Sequence, residues 1–344
     1  MIRLFVSASI LVVSSLLFVA FSSSRSLSIH LIQENGRPLA VGKQEVRERV
    51  WREPSTHKLF DVDSTTTDLF GPFIARIGSQ GTLYLVDLGD LKIKAFDSRG
   101  QLVQVFGEGK GQGPNEFGWI TDIDITDSGE LWVADQVNGR VAVYASDGSL
   151  QEHIVLDQAP YRLSVFESGQ FILMDILQAS GMFSVWQGDG AKVTTFGRLV
   201  DGTAGESLAL DGSMVRAGAS GIVFAPRYAG LLMKFARDGS REFAVETIEP
   251  LPVPRLRKDG ERIWVDFAAP LSTISLSAVG QEIFALSVIE SGFKKLGVLD
   301  VYDLGTGSYK FSQRVPEPCS RVFVSEDRVV TIKDASVSVW QRES

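Results

Sequence analysis

The stretch GWITDIDITDSGELWVADQVNGRVAVYASDG, residues 118–148, decides the fold. It holds three short runs of strand character, 120–125, 130–134 and 140–144, broken at Asp127-Ser128-Gly129 and at Asn138-Gly139, and a fourth run, 150–156, follows Asp147-Gly148. Asn-Gly and Asp-Gly favour tight hairpins because the central residues must take positive φ, which Gly adopts freely and Asn and Asp tolerate. The spacing predicts four antiparallel strands in an up-and-down meander.

Weaker copies of this unit lie on both sides of it. Two anchors align them: a Gly before the second strand, and an aromatic that ends the third strand shortly before a Gly turn. They pick out Gly81, Phe96 and Gly100; Gly129, Tyr144 and Gly148; Gly169, Trp186 and Gly190; Gly221, Phe235 and Gly239; and a stretched fifth copy, Gly280, Tyr302 and Gly307, lengthened by ESGFKK at 290–295. A sixth copy starts near Glu326, reaches Trp340 and stops after its third strand. That leaves a sheet edge which proteins normally cover, and KLFDV at 58–62 is positioned to cover it. The sequence therefore predicts an all-β chain: a six-bladed β-propeller of four-stranded antiparallel blades, closed by an N-terminal strand that completes the last blade. The domain reading is an export or anchor segment at 1–25, a tether at 26–56, and one propeller at 57–344 with an insertion at about 246–271. Prolines 250, 252 and 254 deny a regular ladder at the start of that insertion. Arg255, Arg257, Lys258 and Arg262 make it locally basic.

Composition narrows the classes. The chain has 344 residues, 44% of them apolar, a formal charge of −8 and one cysteine, Cys319. No intramolecular disulfide can form, and an acidic balance argues against a nucleic-acid partner, whose phosphates reward a basic face. Arg3 followed by the uncharged run LFVSASILVVSSLLFVAF at 4–21 fits either a cleaved export signal or a retained N-terminal membrane anchor. Both place the rest of the chain outside the cytoplasm, periplasmic or secreted. The mixed-charge stretch KQEVRERVWR at 43–52 reads as a solvated face of the tether.

The string GELWVADQVNGRVAVYASDG at 129–148 resembles the NHL repeat, and TLYLVDLGDLKIKAFDSRG at 82–100 is a looser match with Asp90 at the Asn138 position and Lys92 at the Arg140 position. The connector FGEGKGQGPNEF at 106–117 is similar to the glycine-rich connector of bacterial six-bladed propellers of this group. What the resemblance implies is a scaffold in which Asp135, Asn138 and Arg140 tie adjacent turns together. The glycines of the connector lack the strand-to-helix setting and the Lys-[Ser/Thr] of a phosphate loop.

A closed propeller has a central channel lined by the first strand of each blade. Aligning those strands gives two mostly apolar positions, Ala75, Ile123, Leu163, Val215, Ile274 and Ser320, and then Ile77, Ile125, Val165, Ala217, Leu276 and Val322. Between them lies a position that is polar throughout: Arg76, Asp124, Ser164, Arg216, Ser275 and Arg321. Period-two alternation sets these opposite the packing face, and Asp122 and Arg162, two residues earlier, extend the set. The candidate ligand-binding ring is therefore Arg76, Asp122, Asp124, Arg162, Arg216 and Arg321, suited to a small anion because Arg presents a planar donor fork.

Catalysis finds little footing here. A divalent ion would want oxygen ligands converging from several blades, yet carboxylates occupy channel positions in one blade only. The three histidines, His30, His57 and His153, fall in the tether, on the closing strand and on an outermost strand. The sequence predicts an exported, non-enzymatic binding scaffold with no cofactor, no catalytic residue and no metal ligand, whose partner is an unidentified protein or a small anionic ligand and whose only membrane contact is the N-terminal segment. The alternative is a metal-dependent lactonase- or lyase-like enzyme with its site in the channel.

Overall fold

The computed structural model describes residues 25–27, 33–34, 37–65, 67–78, 81–177, 181–200, 206–260, 262–266, 268–291 and 294–343. The apolar run at 4–21 and His30 lie outside them. No helix among the described residues is long and apolar enough to cross a membrane.

Six antiparallel sheets form a ring. In chain order, blade one is Pro72–Ile77, Leu83–Asp87, Lys92–Phe96 and Leu102–Phe106; blade two is Ile120–Ile125, Leu131–Asp135, Arg140–Tyr144 and Leu150–Val155; blade three is Arg162–Val165, Phe171–Met174, Phe183–Trp186 and Lys192–Phe196. Blade four is Gly212–Arg216, Gly221–Pro226, Leu231–Ala236 and Arg241–Glu246; blade five is Thr273–Val279, Glu282–Ser291, Lys294–Asp303 and Tyr309–Arg314. Blade six takes Arg321–Val324, Arg328–Lys333 and Ser336–Arg342 from the C-terminal end and Thr56–Val62 from the N-terminal end, with Val62 opposite Val337. The protein is a six-bladed β-propeller whose ring is closed by that shared blade. The extra length in blade five is an extension of its central hairpin, paired out to Ser291 and Lys294.

Each interface between neighbouring blades carries its own apolar cluster. Strand alternation divides the work: in blade two, Ile123, Val133 and Ala142 face blade one, while Trp132, Ala134, Val141 and Val143 face blade three. The aromatic used to count the copies enters the interface with the preceding blade each time. Tyr144 packs with Phe106 of blade one, Trp186 with Phe171 and the Trp132 cluster of blade two, and Phe235 against Phe183 of blade three. Central strands are buried on both faces, whereas outer strands such as Lys192–Phe196 face solvent. This is why the inner strands read as nearly continuous apolar runs.

Ring closure leaves a mark at Gly100. Its φ is +82°, and a Cβ there would sit 2.6 Å from the ring of Phe60 on the closing strand. Gly100→Ala is expected to destabilise the fold by about 1–2 kcal/mol through left-handed strain and displacement of Phe60, measured as a lowered denaturation midpoint.

Residues 37–56 do not hang free as a tether. Gly42 exchanges main-chain hydrogen bonds with the outer strand of blade four, donating to Ala244 and accepting from Glu246 at 2.9 and 2.8 Å. Gln44 bridges Glu246 and Gly307 and accepts from the Tyr309 amide. Trp51–Arg52 then adds a short parallel strand to the edge of blade five. Nor is the charge here simply solvated. Arg49 makes a two-pronged contact, 3.0 Å on each side, with the fully buried carboxylate of Asp300. The partners are far apart in sequence, so local patterning could not reveal the pair.

The insertion after blade four is irregular through its prolines and then forms a hairpin, Leu256–Asp259 with Arg262–Val265, to which Arg25–Leu27 adds a third strand. It packs beside the short helical turn Glu206–Leu210, which leads into the first strand of blade four. Within it Arg257 pairs with Asp266 at 2.8 Å.

The residues singled out by the NHL-like pattern behave as ties. Asp135 accepts from the Gly118 and Trp119 amides with one oxygen and from Asn138 and Arg140 with the other. Arg140 and Asn138 in turn donate to the carbonyls of Gly111, Gly113 and Glu116, pinning the glycine-rich connector. In blade one Asp87 holds the Phe70 and Gly71 amides in the same manner, but its cation is Lys94, at 2.6 Å, instead of the expected Lys92. Asp90, at the Asn138 position, contacts Lys94 as well, at 2.9 Å.

Candidate functional site: the central channel and its arginine-rich entry

The innermost strands of neighbouring blades belong to separate sheets, and side chains bridge between them. Asp122 accepts from the amide of Leu163 in the next blade at 3.1 Å, and Asp124 does the same for Val165 at 2.8 Å. Ser275 and Ser277 of blade five repeat the arrangement toward Val322 and Val324 of blade six. The face opposite the packing residues therefore meets the following blade as well as the lumen. Two predicted ring members, Asp122 and Asp124, are committed to that bridging.

Strand registers also correct the predicted ring, which is not one level. Ladder pairing places Arg76, Asp124, Ser164, Val215, Ser277 and Phe323 together, and Asp122, Arg162, Ser213, Ser275 and Arg321 together two residues nearer the strand starts. Arg216 stands one residue beyond the first group, level with Ile125. Turn length causes the slip: Thr126 to Glu130 closes the first hairpin of blade two, whereas Ser325 to Arg328 suffices in blade six. In blade four Gly221 is already part of the second strand and Ser220 holds the turn position that Gly129 fills in blade two.

The channel has two different ends. At the end formed by the turns between first and second strands is an open cavity of about 880 Å³, lined by Arg76, Asp127, Arg216, Ser277, Glu326 and Arg328 among others. Its two channel arginines are engaged by acids. Arg216 reaches the turn acids Asp127 at 3.2 Å and Glu167 at 3.6 Å, and Arg76 binds Asp122 at 2.9 Å. Burial pushes the carboxyls of Asp122 and Asp124 upward; Arg76 and Arg162 oppose this at Asp122, Arg216 and Arg76 at Asp124.

The other end, where chain enters the first strands, gathers cations. Arg162 lies over the Tyr161 ring at 4.0 Å and donates to the carbonyls of Gly212, Thr121 and Tyr161. Arg227, in the turn between the second and third strands of blade four, sits 3.4 Å from Asp211, which also accepts from the Tyr161 hydroxyl at 2.8 Å. The Arg227 Nε is buried without a hydrogen-bond acceptor among the described residues. From blade six, Arg321 stacks on the Phe73 ring at 3.8 Å. Burial, and after it the like charges of Arg227 and Arg162, push the Arg321 guanidinium down to about 9. Three guanidinium groups thus gather around Asp211, and the next acid, Asp122, which also faces Arg162, is bound by Arg76.

Of the six predicted site residues, the structure brings Arg162 and Arg321 into this cluster, places Asp122 beside it as a structural bridge, and leaves Arg76, Asp124 and Arg216 toward the opposite end. Phe73, Tyr161, Asp211 and Arg227 were missed. Arg227 lies on a turn with no alternation to flag it, whereas Tyr161 and Asp211 each directly precede a first strand, a placement that could have been searched. Among the described residues no group of three or more His, Cys, Asp or Glu is placed to hold a metal ion. His153 lies on the outer strand of blade two against Arg140, away from the channel.

No protein-family model matches the chain, and no curated protein sequence matches it. Solved structures share its shape. A Bacteroides fragilis protein named as exported superposes with a TM-score of 0.58 at 11% identity, over 88% of this chain and 99% of that one. A DUF4221-family member from Bacteroides vulgatus gives 0.54 at 13% identity, over 85% and 98%. A streptogramin B lyase gives 0.53 at 11% identity, over 83% and 98%. At such identities the likeness shows the propeller fold.

Proposed function

We propose that this protein is an extracytoplasmic binding module of the NHL-like propeller type, which holds a ligand in its central channel without transforming it. One observation carries the reading: both channel carboxylates of blade two, Asp122 and Asp124, are consumed in holding the amides of blade three. A general base must be within reach of the proton it removes, and a hard metal ion needs several free oxygens converging on it. Asp122 and Asp124 are placed for neither task. The surrounding arginines, serines and aromatics recognise and orient, and the acids Asp127, Glu167 and Asp211 beside them are paired with Arg216 and Arg227.

The NHL assignment rests on the blade-two string and on the Asp135, Asn138 and Arg140 ties, which work as the resemblance implies. Placement outside the cytoplasm rests on Arg3 and the apolar run at 4–21, with the exported name of one structural neighbour pointing the same way.

A thermal-shift screen of the chain against metal ions, small anions, sugars and peptides tests the reading, because a ligand that binds only the folded state raises the midpoint. The expected result is a response to one class of organic ligand with no turnover of it. A response confined to calcium or zinc, together with consumption of a lactone or cyclic ester, would overturn the proposal in favour of an enzyme.

A further inference from the structure

We propose that the entry end of the channel is a binding site for a doubly charged oxyanion, the phosphate of a monoester or the paired carboxylates of a dicarboxylate, held between Arg321, Arg162 and Arg227. This rests on the channel-binding reading above and assigns the end, the residues and the ligand chemistry.

The argument starts from what each cation lacks. Arg162 is anchored, with three carbonyl acceptors. Arg227 has its Nε 3.4 Å from Asp211 but outside hydrogen-bonding geometry, so that nitrogen lacks an acceptor among the described residues. Arg321 has neither a hydrogen-bonding nor an ion-pairing partner among the described residues and rests only on the Phe73 ring. A guanidinium drawn away from water without an acceptor is costly, and such donors are ordinarily satisfied. Arg227 from blade four and Arg321 from blade six approach the same end of the channel, close enough for their like charges to act on each other. Asp211 offsets one of the three charges and is already shared between Tyr161 and Arg227. Asp122, which also faces Arg162, is offset by Arg76, so the remainder matches a dianion.

Geometry favours an oxyanion over a halide. Arg321 and Arg162 sit over the Phe73 and Tyr161 rings at 3.8 and 4.0 Å, which restrains their donor forks. Restrained forks suit the spaced oxygens of phosphate or carboxylate, and less side-chain freedom remains to be lost on binding. At the turn end Arg216 and Arg76 are already engaged with Asp127, Glu167 and Asp122, and Arg328, whose Nε likewise lacks a hydrogen-bond acceptor among the described residues, donates to the Gly81 carbonyl and lies 3.6 Å from Asp327.

The experiment uses the full chain in mild detergent, titrated with methyl phosphate, succinate, acetate and chloride, and follows the unfolding midpoint and the heat of binding. Methyl phosphate or succinate is expected to bind at least tenfold more tightly than acetate, with no response to chloride; which of the two is tighter separates the sources. Arg321→Met and Arg227→Gln should each weaken binding by tenfold or more. Arg321→Lys, which keeps charge and loses the fork, should weaken it less. Since removing a crowded cation should leave the midpoint without ligand unchanged or raised, a lost response in Arg321→Met is not a folding defect. A response kept in Arg321→Met but lost in Arg216→Gln would move the anion to the turn end, overturning this assignment while the channel-binding reading stands. No response to any anion, alongside a shift with a sugar or peptide, overturns the oxyanion site alone. Silence to every ligand class overturns both.

Discussion

Arg49→Ala is expected to cost the fold about 3–5 kcal/mol, the penalty for stranding one member of a buried pair. Asp300 is fully buried, and without Arg49 its carboxylate keeps, among the described residues, only the Ser312 hydroxyl at 2.5 Å. The contact with Asp300 raises the Arg49 guanidinium against the opposing pull of burial, as a strong pair should. The loss extends beyond one ion pair, because Arg49 lies between Gln44 and the parallel strand Trp51–Arg52. Chemical denaturation should show the lowered stability, and limited proteolysis should cut within residues 37–56 in the variant before it cuts the blades. Replacing both partners, Arg49→Met with Asp300→Leu, should recover most of the stability, since the larger part of the single-variant penalty is the unpaired charge. A single variant as stable as wild type would mean that these residues are not clamped to blades four and five.

Arg321→Met is expected to act in the opposite direction on stability while removing ligand response. Each unit by which a pKa is depressed represents about 1.4 kcal/mol of unfavourable burial of the charged form, and loss of the Phe73 contact removes about 1–2 kcal/mol of attraction. The depression outweighs the lost contact, so the ligand-free variant is expected to be more stable than wild type, seen as a midpoint several degrees higher. Its pH dependence has a fixed sign. The folded pKa, about 9, lies below the ordinary 12.5, so above pH 9 the unfolded state holds more protons and wild-type stability rises with pH. Below pH 9 the full penalty is present. The gap between the stability curves of the variant and wild type should therefore be constant near neutrality and narrow above pH 9. Stability given up at one residue and recovered in binding is the usual signature of a functional site.

The ring was legible in the sequence because its repeat is enforced locally. Hairpin glycines such as Gly100 and Gly148 need positive φ, and Tyr144, Trp186 and Phe235 each fill an interface with the preceding blade. Closure by residues 58–62 was legible because an unfinished last blade needs a fourth strand. Levels within the channel were not. Sheets accept first hairpins of different lengths, so counting back from Gly221, Gly280 or Glu326 misplaced Arg216 by one residue and Ser275 and Arg321 by two. The clamp at Arg49 and the Arg227–Asp211 contact were invisible because each is fixed by tertiary neighbours and leaves no local pattern.

Tungstate, a tetrahedral dianion that scatters X-rays anomalously, gives the most direct test of the entry site. Crystals of the protein soaked in it should show one strong anomalous peak at the channel entry, within hydrogen-bonding distance of Arg321 and Arg227 and near Arg162, and the peak should vanish in Arg321→Met. A peak among Arg76, Arg216 and Arg328 at the turn end, or density only at exposed surface lysines, would contradict the account.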